Sequence, residues 1–121
     1  MNTNKNNDIT ADTVGQVRYV SQEVKDNFKQ KHGKKLRSLL LPMDDFGVNE
    51  LEVLAVIPTR SIMGQSMKYM TSDPKKGQEI LVKNCLLTSK EEVMADDGLF
   101  FAAAGLLTDL MPIRQGKFGK V

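Results

Sequence analysis

The 121 residues carry 40% hydrophobic and 26% charged side chains, proportions of one soluble domain with a modest core, and 6% aromatic residues without tryptophan make that core aliphatic. A formal net charge of +2 is too small to demand a polyanionic partner, and a single cysteine, Cys85, excludes an internal disulfide. No apolar run reaches the roughly 20 residues that span a bilayer, and MNTNKNNDITADT has no apolar signal core, so the expected compartment is the cytoplasm.

Met1 to Tyr19 is polar, rich in Asn and Thr and without periodicity, which predicts a disordered arm over residues 1–19. Ser21 then caps a helix through Lys31 in which Val24 and Phe28 share a face at i, i+4, with Gly33 as its stop. Lys35–Leu41 and Leu51–Ile57 are short, rich in branched residues and bounded by turn signals, so they read as a β-hairpin. In the second strand Leu51, Val53, Ala55 and Ile57 share one face, and Glu52, Leu54 and Val56 make a partly polar outer face.

Pro58 and Thr59 open a helix from about Arg60 to Met70, with Met63, Met67 and Met70 at i, i+4, i+7. Such a stripe serves as core in most proteins, yet the unbranched, polarisable methionine also repacks against a partner at low cost. Asp73-Pro74 is a strong helix start, and Thr88 and Ser89, each with a glutamate three residues on, have capping-box spacing for a further short turn. Asp96 and Asp97 precede the most apolar helix, Leu99 to Met111, where Ala102 to Gly105 would let a neighbouring helix approach closely. Pro112 ends it and leaves residues 113–121 as a basic, glycine-containing tail.

The charges are uneven along this order: residues 1–42 sum to +4, residues 43–112 to −5 and residues 113–121 to +3. Basic ends around an acidic middle suit protein contacts, although a solvated mixed-charge surface accounts for them more simply. The adjacent pairs Asp44-Asp45 and Asp96-Asp97 point apart and lack metal-ligand spacing, so turn formation and helix capping are their expected roles. His32 is the only histidine, which excludes a paired-histidine zinc motif, and a His32–Cys85 nucleophile pair has no supporting Asn or Asp arrangement. Cys85 is therefore expected to be a small buried apolar residue. The tail sequence GKFGK follows a helix rather than a strand and lacks GK[ST], so it is no phosphate loop. Lys31, Lys34, Lys35 and Arg37 beside Phe28 form the best nucleic-acid feature, which a solvated helix end and edge-strand lysines also explain. The residues thus point to no enzyme, cofactor, metal or small-molecule substrate.

Taken together, Lys31-His32-Gly33 at the end of a basic helix, a hairpin closing on Pro58-Thr59-Arg60, Asp73-Pro74, Asn84-Cys85-Leu86-Leu87 and an acidic turn before an Ala-rich helix form a pattern. Over about residues 20–116 that pattern resembles the small tail assembly chaperones of tailed bacteriophages and prophages. The resemblance implies a gene between those of the major tail protein and the tape-measure protein, and action in the infected host's bacterial cytoplasm. It also implies binding to the tape-measure protein and gathering of tail tube subunits around it, without becoming part of the virion. In many members a programmed frameshift adds a longer form.

The expectation is an α+β domain over residues 20–112, a short antiparallel β-hairpin packed against about four helices, acting as a non-catalytic tail assembly chaperone. The Met63, Met67 and Met70 face, with Lys117 and Lys120 in the tail, is expected to bind the tape-measure or tail tube protein. Two rival readings are a structural virion connector or head–tail completion protein, and a small nucleic-acid-binding regulator using residues 31–37.

Overall fold

Residues 15–112 and 114–121 are described by a computed structural model, and its first element corrects the sequence reading. Val17–Arg18 forms a short strand, β1, where a disordered arm is expected; residues 1–14 of that arm lie outside the described residues. The Gln16 carbonyl accepts the Glu50 N–H at 2.9 Å, and the Gln16 N–H donates to Asn49 Oδ1 at 3.2 Å. Arg18 then reaches Glu92 at 2.7 Å, a link between segments 74 residues apart.

Helix α1 (Gln22–His32) follows, with the Ser21 hydroxyl accepting the Val24 N–H and Gly33 stopping the helix at a left-handed φ of 56°. No residue of α1 is buried, so the helix rests on the domain rather than inside it. A single 3-10 turn leads to β2 (Leu36–Pro42), which pairs antiparallel with β3 (Glu50–Val56), Leu39 opposite Val53 and Leu41 opposite Leu51. The predicted hairpin is present, and β1 pairs parallel to β3 on its other edge, giving the order β1-β3-β2. Beyond β1, that edge of β3 is covered by the segment after the third long helix. Leu87 N–H donates to the Leu54 carbonyl at 2.8 Å, and Leu54 N–H donates to the Thr88 hydroxyl at 2.9 Å. Both edges of the central strand are thereby satisfied.

The remaining helices are α2 (Arg60–Tyr69), α3 (Pro74–Cys85), α4 (Lys90–Ala95) and α5 (Asp97–Asp109). Thr59, Asp73 and Asp96 each accept a first-turn N–H with their side chains, the caps that the sequence predicts for α3 and α5. The capping box expected at Thr88 and Ser89 does not form. Ser89 sits at φ 55° without a cap bond, the Thr88 hydroxyl is held by Leu54, and Glu92 is held by Arg18.

Helix α5 packs on β2, α3 packs on α5, and α2 packs on the far side of α3. Leu39, Leu41, Leu51 and Val53 from the sheet meet Leu81, Val82, Cys85, Phe100, Ala103 and Leu107 from the helices in one aliphatic core. The fold is α+β and comprises, among the described residues, a three-stranded sheet with five α-helices. Among the described residues, no helix is long and apolar enough to cross a membrane.

Candidate partner-binding surfaces

The close helix contact lies between α2 and α3. A Cβ added at Gly77 would lie 2.7 Å from the Ser66 carbonyl oxygen, and the buried Ser66 hydroxyl donates to the Gly77 carbonyl at 2.8 Å. Close approach predicted around Ala102 to Gly105 is not made at Gly105, which is exposed with nothing near its Cβ position, while Ala103 and Ala104 simply fill the core.

Ser66 sets the rotation of α2 and divides the methionine face. At about 100° per residue, Met70 and Met63 lie about 40° and 60° from Ser66 around the helix, whereas Met67 lies about 100° away. Met63 and Met70 are accordingly half-buried against the core, and Met67 is 55% exposed. Lys117 and Lys120 are exposed in segment 114–121, outside any helix or strand. The structure thus presents one of the three predicted methionines openly and leaves both lysines in solvent.

A second apolar surface, on the β2–β3 loop, is absent from the sequence reading, which gives Asp44 and Asp45 the role of turn formers only. Asp44 Oδ1 accepts the N–H groups of Phe46 and Val48 at 3.0 Å each, and Oδ2 accepts that of Asn49 at 2.8 Å. The bonds from Val48 and Asn49, reinforced by that from Phe46, hold the Asp44 carboxyl below the usual range. The loop so fixed holds Phe46 at 91% exposure, flanked by Met43 and Val48. Between this loop and Asp96 and Gly98 runs an open groove of about 530 Å³.

Neither a family model nor a curated protein matches the sequence. Among solved structures, the uncharacterised protein rbstp2171 from Bacillus stearothermophilus is similar, with a TM-score of 0.58 and 18% sequence identity over 79% of this chain and 99% of that one. At that identity the likeness concerns the fold alone.

The opposite face of the sheet holds a buried carboxylate. Glu52, 4% exposed, accepts from the Val20 N–H at 2.9 Å and from the Ser38 hydroxyl, and pairs with Lys25 of α1 at 3.0 Å. Burial pushes its carboxyl up, but the bonds from Ser38, Lys25 and Val20 outweigh this, and it titrates below the usual range. Its three contacts join the segment after β1 through Val20, α1 through Lys25 and β2 through Ser38, so Glu52 is a clasp rather than a free acid.

The other chemistry-bearing residues are similarly engaged. His32 stacks on Phe28 with ring centroids 6.1 Å apart, and Arg37 donates to the carbonyls of Lys34 and Leu36, turning part of the basic cluster onto its own backbone. Cys85 is 1% exposed, and burial pushes its thiol up. Iodoacetamide should therefore modify native Cys85 only at the rate at which the domain opens, at least a hundredfold below its rate in denaturant. Equal rates in the two conditions would place the thiol outside the core.

Proposed function

We propose that the chain is a non-catalytic tail assembly chaperone that binds the tape-measure protein, the tail tube protein or both in the cytoplasm of an infected bacterium. Support comes from the residue pattern over residues 20–116 and from Met67. That side chain stands exposed on a helix locked to its neighbour through Ser66 and Gly77, so a soft apolar anchor is offered from a rigid support. Reversible shielding of a partner needs such a surface and no bond-making chemistry. Lys117 and Lys120 add positive charge on an exposed segment outside any helix or strand.

Met67→Ser alone separates binding from folding, because Met63 and Met70 support the core and Met67 does not. The substitution should change stability by no more than about 0.5 kcal/mol. Capture of the tape-measure protein should weaken at least fivefold, and further when Lys117→Glu and Lys120→Glu are added. Unchanged capture by the triple variant would remove α2 and the tail from the binding surface.

A further inference from the structure

The β2–β3 loop carries more than the chaperone reading uses. Its backbone is fixed by Asp44, yet it carries Phe46 almost wholly in solvent, and the groove beneath it has Asp44, Asp45 and Asp96 on its polar side. Phe101, 53% exposed, lies one turn along α5 from the groove-lining Gly98 at i, i+3. An exposed aromatic residue on a braced loop, bordered by acids, matches a ligand that combines an aromatic group with positive charge.

Segment 114–121, RQGKFGKV, has that composition. It carries Arg114, Lys117 and Lys120 with no acid, and Phe118 lies between the lysines. Phe118 is fully exposed, and no residue of the segment lines the groove of its own chain. In an extended chain, Lys117 and Lys120 are about 10 Å apart, a span suited to acids on either side of one aromatic contact. We infer that segment 114–121 of one copy docks in the hairpin-loop groove of a second copy, Phe118 against Phe46 and the lysines toward Asp45 and Asp96. The two surfaces differ, so a single such contact leaves one groove and one segment open to a further copy.

Sedimentation velocity on the full chain tests this. The sedimentation coefficient should rise with concentration at about 50 mM salt and fall back at about 500 mM, as screening weakens the exposed charge pairs. A groove variant, Asp45→Lys with Phe46→Ser, and a tail variant, Lys117→Glu with Phe118→Ser, should each stay monomeric with unchanged circular dichroism. Mixed in equal amounts they retain one intact groove and one intact segment, and should form a dimer that grows no further. A wild-type chain that stays monomeric, as it would if the segment filled its own groove, overturns the inference. So does self-association that survives in either variant, or a mixture that remains monomeric.

Discussion

Gly77→Val should remove about 2–5 kcal/mol of stability, a large part of the roughly 5–15 kcal/mol of an ordinary domain. The added Cβ would lie 2.7 Å from a backbone carbonyl, that of Ser66, and 3.0 Å from Met70 Sδ. The methionine can swing away, whereas the carbonyl moves only with α2 itself. Displacing α2 stretches the buried bond from the Ser66 hydroxyl to the Gly77 carbonyl, adding a polar penalty to the steric one. Gly105→Ala is the internal control. It lies in the interior of α5 with open space at its Cβ position, so the same loss of glycine should stabilise by about 0.5–1 kcal/mol. Chemical denaturation measures both, and a Gly77→Val protein as stable as wild type would mean that α2 and α3 are not in close contact.

Glu52→Ala should cost about 2–3 kcal/mol and loosen α1 before the core. One carboxylate holds Val20, Ser38 and Lys25 from three separate segments, and hydrogen bonds to a charged group are worth about 1.5–3 kcal/mol. The cost stays below that of a fully buried pair because the Lys25 side chain is 31% exposed and can return to water. Hydrogen exchange should accelerate over Gln22–His32 more than over α3 or α5. The pH dependence follows from the direction of the shift. The folded carboxyl titrates below the unfolded value of about 4.3, so its contribution is complete above that pH and lost as pH falls through the folded value. Asp44 shifts in the same direction, so wild type should lose stability in acid from both groups and Glu52→Gln from fewer. Parallel acid limbs in the two proteins would show that Glu52 does not clasp α1.

The elements that start with a local signal were legible in the sequence. Ser21 and Gly33 bound α1, Asp73 with Pro74 starts α3, and Asp96 starts α5, because a cap is a bond between residues two or three apart. The alternation of Leu51, Val53 and Ala55 likewise gave the inward face of the hairpin. Features made by distant segments were not legible. Strand β1 is two residues long and has no period to read, and Glu52 is buried by partners that converge only after folding. The Thr88 capping box failed for the same reason, since the hydroxyl is taken by a strand 34 residues away. At the candidate site, the methionine spacing was visible but the rotation of α2 was not, because Ser66, a polar residue, makes the innermost contact. Phe46 stood between turn residues in plain view, and only the bonds to Asp44 show that its exposed position is held.

Co-expression with a tagged tape-measure protein, followed by purification of the complex, asks whether the proposed chaperone holds its partner through the exposed surface around Met67. Stable, stoichiometric co-purification that Met67→Ser weakens at least fivefold, with stability unchanged, is the predicted result. Tape-measure protein recovered without the chain, alongside tail tube protein that also fails to retain it, would contradict the proposed role.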